Sequence, residues 1–180
     1  MSAEYCRGAA NHPLHKIYHD QEYGFPVKSD FALFERFVLE INQAGLSWTT
    51  ILNKRENFIR AYDGFDIDRV AAYGETDTTR LLADAGIIRN RLKIAAAIEN
   101  ARRLVQIRQK DGSFAAWLDA HHPLSKAEWI RLFKQEFVFT GGEIVGEFLI
   151  STGYLPGAHE TWCPIYAQIA ALNPSWMTSI

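Results

Sequence analysis

Two predicted helices meet in the stretch Leu39-Glu40-Ile41-Asn42-Gln43-Ala44-Gly45-Leu46-Ser47-Trp48. The first helix begins after Ser29, a good N-cap residue, and its apolar residues recur at the i, i+3, i+4 and i+7 spacing of one buried face. Gly45 ends or bends this helix, because glycine is unfavourable inside one. Ser47 can cap a second helix, which continues to a break at Gly64. The stretch therefore predicts a helix, a tight turn and another helix.

The rest of the chain continues the helical pattern. Further helices are predicted over residues 66–73, 76–85, 90–110, 114–120, 125–133, 142–153 and 165–172. Asp66 and Thr76 are suitable caps, and Ser125-x-x-Glu128 has the form of a capping box. No alternating segment is long enough to predict a strand. The expected fold class is all-α, with no internal repeat and no low-complexity linker.

Composition limits the class of protein. The chain has 180 residues, of which 48% are hydrophobic and 22% charged, so it can build a full core. No apolar run approaches the length of a membrane span, so no membrane association is expected. The net charge of -2 argues against a protein that coats nucleic acid nonspecifically, although a local basic face can still bind phosphate. Residues 1–10 lack the apolar run of a signal peptide, so we expect a cytoplasmic location.

The two cysteines each lie near a histidine, at opposite ends of the chain. Cys6 and His19 have a Cys-x12-His spacing, and His159 and Cys163 have a His-x3-Cys spacing. A Cys2His2 set is typical of structural zinc, held in a tetrahedral shell with no open position for water. Closing so long a loop costs about 4 kcal/mol, less than the roughly 10–16 kcal/mol of zinc binding in small peptides. The alternative is two unrelated free thiols with chance histidines.

Glu40 lies at the margin of its helix's apolar face, so its carboxylate can reach the edge of the core near Gln43 and Trp48. A buried carboxylate among aromatic rings would favour a cation. Tyr18 is adjacent to His19, and a metal bound to that histidine would hold Tyr18 in place to stack on a flat ligand. The alternatives are a solvated Glu40, a Trp48 that only fills the core, and an ordinary half-buried Tyr18.

A glycine-containing segment, Gln135-Glu136-Phe137-Val138-Phe139-Thr140-Gly141-Gly142, separates two predicted helices. A tight turn that opens a helix directs backbone N–H groups outward, and these can bind phosphate without side-chain charge. Such a contact would reconcile DNA binding with a net acidic chain. The alternative is an ordinary turn between helices.

Several motifs occur together and in order: Tyr18-His19-Asp20-x-Glu22, Glu40-x-x-Gln43-Ala44-Gly45-Leu46-Ser47-Trp48, Lys54-Arg55-Glu56-Asn57, Asp84-Ala85-Gly86-Ile87-Ile88-Arg89 and His159-x3-Cys163. In these motifs the chain resembles the bacterial DNA-3-methyladenine glycosylase I family over nearly its whole length. The resemblance implies a helix-hairpin-helix DNA glycosylase fold with a zinc clasp joining the N- and C-terminal segments. It also implies a single unit over residues 1–180, with a helical lobe at about 28–155 and zinc-binding segments at about 1–27 and 156–180.

The resemblance also implies roles for individual residues. Glu40 is the expected catalytic residue, contacting the nitrogens of a base turned out of alkylated double-stranded DNA. The expected base-binding residues are Tyr18, Trp48, Gln43 and His15. The expected DNA-binding residues are Thr140, Gly141 and Gly142, and one structural zinc is expected on Cys6, His19, His159 and Cys163. The reaction that the resemblance implies is hydrolysis of the N-glycosidic bond of 3-methyladenine, which releases the free base and leaves an abasic site, and the enzyme is expected to be a monomer.

The chain departs from the family pattern near the pocket. Gly8 stands where the better-known members carry a tryptophan, and His15 where they carry a tyrosine. The hairpin helix begins Gly142-Glu143 where they usually have two threonines. A lost aromatic residue would enlarge the cavity, and a protonated His15 would repel a cationic base. These departures leave open a glycosylase with altered alkylpurine specificity, or a protein that binds damaged DNA without cleaving it.

Overall fold

The computed structural model describes residues 2–178, which form helices and turns with no strand among them. The helices are α1 (Ser2–Gly8), α2 (Pro13–Gln21), α3 (Asp30–Gln43), α4 (Trp48–Ala61), α5 (Ile67–Ala71), α6 (Glu75–Ala83), α7 (Arg91–Asp111), α8 (Phe114–His121), α9 (Lys126–Glu136), α10 (Gly142–Ser151) and α11 (Pro164–Ala171). Short 3₁₀ turns occur at Ala9–Asn11, Asp63–Phe65 and Ser175–Met177. The all-α fold class is confirmed. None of the helices described is long and apolar enough to cross a bilayer.

Side-chain caps start several helices where the sequence predicted them. Ser47 Oγ accepts a hydrogen bond from the Thr50 N–H at 3.2 Å and opens α4. Ser125 and Glu128 form the reciprocal capping box at α9, in which the Ser125 N–H donates to Glu128 Oε2 at 2.8 Å. These caps satisfy N–H groups that have no partner inside a helix.

The sequence prediction was wrong at one helix start and incomplete at the N-terminus. The helix expected to begin with Thr76 as its cap begins at Glu75 instead, because Gly74 occupies the N-cap position. The side chain of Asp77 accepts a hydrogen bond from the Gly74 N–H at 3.2 Å and fixes this earlier start. Helices α1 and α2 were not predicted, and both carry residues of the site described below.

An aromatic cluster joins α3 to the helices on either side of the glycine turn. The ring of Phe37 on α3 lies 5.7 Å from Phe133, 5.3 Å from Phe137 and 5.2 Å from Phe148, measured between centroids. All four residues are at most 2% exposed. Burial of each such ring is worth about 1.5–3 kcal/mol. The helix that carries Glu40 is therefore rigidly packed against both helices of the hairpin.

A buried lysine caps the C-terminal end of α3. Lys93 on α7 is 6% exposed, and its Nζ donates to the carbonyl oxygens of Asn42 at 2.8 Å and Ala44 at 2.7 Å. The last carbonyls of a helix have no partner within it, and a cation there also complements the helix dipole. Lys93 thereby fixes the turn between Glu40 and Trp48.

The turn between α9 and α10 is held by one fully buried side chain. Asn100 on α7 donates from Nδ2 to the Val138 carbonyl at 3.1 Å, and its Oδ1 accepts from the Val138 N–H at 2.9 Å. Phe139 follows with a φ of 61° and is 39% exposed. This arrangement is the helix-hairpin-helix that the family resemblance implied.

The segment after α2 pairs with the chain that follows α10. The Gly24 N–H donates to the Ser151 carbonyl at 2.9 Å, and the Val27 N–H donates to the Thr152 carbonyl at 3.3 Å. Gly24 has a φ of 85°, and a Cβ there would lie 2.5 Å from the Cβ of Ala158. Only glycine permits this close approach of the two ends of the chain.

Candidate functional site

A cavity of about 170 Å³ opens between α2, α3, α4 and α10. It is lined by Tyr5, His15, Tyr18, Tyr23, Glu40, Gln43, Trp48 and Glu147. Five of these residues are the catalytic and base-binding residues predicted from the sequence, so the structure brings that whole set to one place. Three others, Tyr5, Tyr23 and Glu147, were not predicted.

Glu40 contributes a buried carboxyl group to the cavity lining. It is 5% exposed, and burial raises its pKa to about 8, with Arg36 opposing the rise and Glu147 adding to it. Among residues 2–178, no hydrogen bond reaches its carboxylate. At neutral pH the Glu40 side chain of the empty cavity is therefore mostly protonated, and a cation in the cavity would favour its ionised form.

Arg36 holds one wall of the cavity from behind. It is 5% exposed, and its Nη1 donates to the Tyr18 hydroxyl at 2.9 Å while its guanidinium lies 4.8 Å from the centre of the Tyr18 ring. Its Nη2 donates to Glu22 Oε2 at 3.2 Å, and Glu22 in turn pairs with Arg55 at 2.6 Å. These contacts keep the Tyr18 ring in one orientation and place a positive charge behind it.

The two predicted aromatic residues are adjacent walls of the cavity. The centroids of Tyr18 and Trp48 lie 5.2 Å apart, with their planes inclined at 55°. A purine held between two parallel rings needs a gap of about 7 Å, twice the roughly 3.5 Å contact distance between carbon atoms. The structure therefore favours a wall formed by both rings over a sandwich around the base.

Tyr5 supplies an aromatic ring near the position where the sequence lacked one. It lies on α1, next to Cys6, and its hydroxyl is 3.2 Å from His15 Nδ1. His15 Nε2 lies 2.8 Å from Thr49 Oγ1, so both ring nitrogens have partners. Burial, followed by the nearby His12, lowers the pKa of His15 and keeps it neutral at pH 7. The repulsion of a cationic base expected from a protonated His15 is therefore absent at that pH.

A sequence signal existed for two of the three unpredicted residues. Glu147 stands one residue before Phe148 on the apolar face of α10, as Glu40 stands one residue before Ile41 on α3. Tyr23 belongs to the segment that follows His19 and packs its ring 5.7 Å from Tyr18. Tyr5 had no such signal, because the short α1 shows no helical period from which a buried face can be identified.

A second cluster lies beside the cavity and consists of the predicted metal ligands. The ligand atoms of Cys6, His19, His159 and Cys163 all lie within 4.8 Å of one another, so this Cys2His2 group could hold a metal ion. Cys6 Sγ is 3.6 Å from His159 Nδ1, and Cys163 Sγ is 3.6 Å from His159 Nδ1 and 3.7 Å from His19 Nε2.

The remaining ring nitrogens of both histidines are engaged outside the cluster. His19 Nδ1 lies 2.7 Å from Asp20 Oδ1, and His159 Nε2 donates to the Tyr23 carbonyl at 2.7 Å. Such outer partners fix the tautomer, so that His19 Nε2 and His159 Nδ1 face the cysteines. Burial lowers the pKa of His159, which keeps it in the neutral form that a metal ligand requires.

The three predicted DNA-binding residues of the hairpin offer backbone rather than side-chain donors at the surface. Thr140 is 8% exposed, and its hydroxyl donates inward to the Phe133 carbonyl at 3.4 Å. Gly141 occupies the N-cap of α10, where no side chain caps the helix. Any DNA contact at these predicted residues therefore involves the backbone N–H groups of Gly141 and Gly142 rather than the threonine hydroxyl.

Comparison with known proteins relates this site to one family. The sequence model of the methyladenine glycosylase family matches residues 8–136. DNA-3-methyladenine glycosylase 1 of Escherichia coli (strain K12) is 38% identical over 186 residues, which cover 91% of this chain and 97% of that protein. DNA-3-methyladenine glycosylase of Haemophilus influenzae is 31% identical over 178 residues, covering 88% and 96%. The Staphylococcus aureus 3-methyladenine DNA glycosylase I structure, solved to explain 3-methyladenine recognition, superposes with a TM-score of 0.82 at 28% identity, covering 92% of this chain and 97% of that one. The chain belongs to the methyladenine glycosylase family.

Proposed function

We infer that the protein is a DNA-3-methyladenine glycosylase of DNA repair, which hydrolyses the N-glycosidic bond of 3-methyladenine in alkylated DNA. It releases the free base and leaves an abasic site. The observation that carries this inference is the buried Glu40, placed among Tyr18, Trp48 and Gln43 in a cavity that fits one flat base. The two relatives from Escherichia coli and Haemophilus influenzae are named for the same activity.

The geometry supports a mechanism in which the protein mainly extracts the base from the DNA stack and stabilises its positive charge. 3-Methyladenine in DNA is a cation with a weakened glycosidic bond, and it must leave the base stack to react. Stacking on Tyr18 and Trp48, worth about 1–3 kcal/mol per base, offsets a flipping cost of a few kcal/mol. The ionised Glu40 holds the cationic ring. The bond between the sugar C1′ and the base breaks with its electrons passing to the purine, and water adds to C1′ and loses a proton.

The amide of Gln43 and the neutral His15 complete the base contacts in this proposal. Gln43 lies one turn after Glu40 on α3, lines the cavity and donates from Nε2 to the Leu46 carbonyl at 3.2 Å. His15, held between Tyr5 and Thr49, lines the cavity without adding positive charge. Gly8 provides no aromatic ring on the α1 side of the cavity. Tyr5 lines the cavity there and supplies one.

The Cys2His2 cluster holds one structural zinc ion in this proposal. With bonds of about 2.3 Å to sulfur and about 2.0–2.1 Å to nitrogen, a tetrahedral zinc site has sulfur–nitrogen separations of about 3.5 Å. The observed separations of 3.6 and 3.7 Å fit that geometry. Four protein ligands leave no position for a reacting water, so the ion ties the two ends of the chain together. Elemental analysis should find about one zinc per chain, and Cys163→Ser should abolish that stoichiometry.

Alkylated double-stranded DNA is the partner in this proposal, bound by a monomer in the cytoplasm. The hairpin at Thr140, Gly141 and Gly142 offers uncapped backbone N–H groups to a phosphate at the start of α10. The reduced thiols of Cys6 and Cys163 that zinc needs persist in a reducing compartment. The division into a helical lobe at about 28–155 and zinc-binding ends at 1–27 and 156–180 remains a prediction within one unit.

The test is base release under single-turnover conditions. Wild type should release 3-methyladenine from methylated duplex DNA in preference to 7-methylguanine and hypoxanthine. Glu40→Gln should lose this release while Glu75→Gln, which removes an exposed carboxylate on α6 outside the cavity, retains it. DNA binding without release by wild type would indicate the non-catalytic alternative, and equal release of all three bases would indicate altered specificity.

A further inference from the structure

Glu147 is a second carboxylate of the cavity, and the proposed mechanism does not use it. It lies on α10 between buried residues, with Gly146 before it and Phe148 after it, and is itself half-buried. Its side chain lines the same cavity as Glu40. A charged residue among the apolar residues of a packed helix needs a physical reason to be there.

Glu147 has a hydrogen bond but no ion pair among residues 2–178, and the more distant charge of Lys126 only opposes the rise in its pKa. The Tyr23 hydroxyl donates to Glu147 Oε2 at 3.1 Å. Within residues 2–178, no lysine or arginine lies within ion-pair distance of it. Lys126 runs alongside Gly146, but its Nζ is 3.9 Å from Oε1 of the exposed Glu143. One neutral hydrogen bond therefore orients the carboxylate, which lines the cavity.

Two carboxylates in one cavity are unfavourable until a cation enters. Burial raises the pKa of Glu147, and the charge of Glu147 adds to the rise in the pKa of Glu40. A positive ligand between them would stabilise both ionised forms, since buried charges are stable when paired. A neutral ligand of the same shape would gain nothing from either charge.

We propose that Glu147 is a second anionic contact for the extruded base, and that with Glu40 it makes the pocket selective for positively charged alkylpurines over neutral purines of the same shape. The proposal rests on the proposed function, because it assigns the charge preference of that same pocket. Tyr23 is then a positioning residue, which holds the Glu147 carboxylate toward the cavity through its hydroxyl.

Glu147→Gln tests the proposal, because glutamine keeps the shape and an oxygen that can accept the Tyr23 hydrogen bond. Glu75→Gln is the control, since it removes a carboxylate on α6, outside the cavity and the hairpin, at a side chain that is 79% exposed. Two substrates are needed. One is methylated duplex DNA, which carries cationic 3-methyladenine, and the other is a duplex with 3-deaza-3-methyladenine, a neutral base of the same outline.

Hydrogen bonds to charged groups contribute about 1.5–3 kcal/mol, so Glu147→Gln should slow 3-methyladenine release at low DNA concentration by about tenfold or more. Its affinity for the duplex with the neutral base should change by less than about twofold. Glu75→Gln should change neither. Equal losses on both duplexes would mean that Glu147 only supports the fold, and no loss on either would mean that it does not contact the base; either result overturns the proposal. Absence of 3-methyladenine release by wild type would instead contradict the proposed function itself.

A pH profile adds a readout that a purely structural residue would not change. Arg36, Tyr18, Tyr23 and Glu147 are the charged or titratable groups that act on Glu40, and Lys126 and Glu143 act on Glu147 from outside the cavity. Release of the cationic base should rise with pH as Glu40 ionises. In Glu147→Gln the rise should move to lower pH, because a like charge near Glu40 is removed; an unmoved midpoint would contradict the pairing of the two carboxylates.

Discussion

Replacing Glu40 by glutamine should stabilise the folded protein, and the gain should grow with pH. In the unfolded chain this carboxyl ionises near its usual pKa of 4.5, whereas in the folded protein burial raises the pKa to about 8. Between these values the folded state retains a proton that the unfolded state has lost. The free energy of unfolding of wild type therefore falls as pH rises through this window, and this loss is absent when residue 40 cannot ionise.

The magnitude follows from the two pKa values. Each pKa unit corresponds to about 1.4 kcal/mol, so the full difference approaches about 5 kcal/mol above pH 8. Between about pH 5.5 and 8 the stability of Glu40→Gln should rise relative to wild type by about 3 kcal/mol. All other titrating groups are common to the two proteins, and their contributions cancel in the comparison.

Urea denaturation of wild type and Glu40→Gln at both pH values measures this difference directly. Glutamine has nearly the same volume as glutamate, so packing around residue 40 should change little. A stability difference that does not vary with pH would show that Glu40 ionises in the folded protein as it does in the unfolded chain. It would also remove the reason to expect that the cavity prefers a cationic ligand.

Three further substitutions test separate parts of the structure. Trp48→Ala removes one stacking wall, worth about 1–3 kcal/mol, so single-turnover release of 3-methyladenine should fall about fivefold to 150-fold. Asn100→Ala leaves the N–H and the carbonyl of Val138 unpaired, which should cost about 1–3 kcal/mol in urea denaturation and weaken duplex DNA binding in a fluorescence titration. Lys93→Met removes the cap of α3 and should lower stability by a similar amount at unchanged zinc content, measured by denaturation and elemental analysis.

The helices were predictable because their boundaries depend on local chemistry. Ser47 and Ser125 cap their helices through contacts within three residues, which the sequence displays directly. The place of Glu40 at the margin of an apolar face made it a candidate, but the local sequence left a solvated Glu40 open, and only the family resemblance assigned it a role. The error at Thr76 came from treating a threonine as a better cap than glycine, where Asp77 in fact accepts a hydrogen bond from the Gly74 N–H.

Long-range contacts were beyond sequence reasoning. Nothing local indicates that Tyr5 on α1 reaches His15 and the cavity, because the pairing depends on how α1 packs against α2. Likewise, Glu147 meets Tyr23 only after α10 packs beside the N-terminal segment. The metal cluster was predictable as a set of ligand types, but its compactness depends on the whole fold bringing residues from both ends of the chain together.

The position of the metal cluster extends the role that the sequence suggested for it. A metal on His19 was expected to hold Tyr18, and Arg36 also contacts Tyr18 through a hydrogen bond and a ring contact. The cluster adjoins the other wall of the cavity as well, because Tyr5 is next to the ligand Cys6 and the ligand His159 donates to the carbonyl of Tyr23. The rings of Tyr5 and Tyr23 lie 5.4 Å apart, and the Tyr23 hydroxyl orients Glu147. A metal ion in the cluster would therefore stabilise the wall that carries the second carboxylate together with α2, which carries Tyr18, while Glu40 lies on α3 in the helical core.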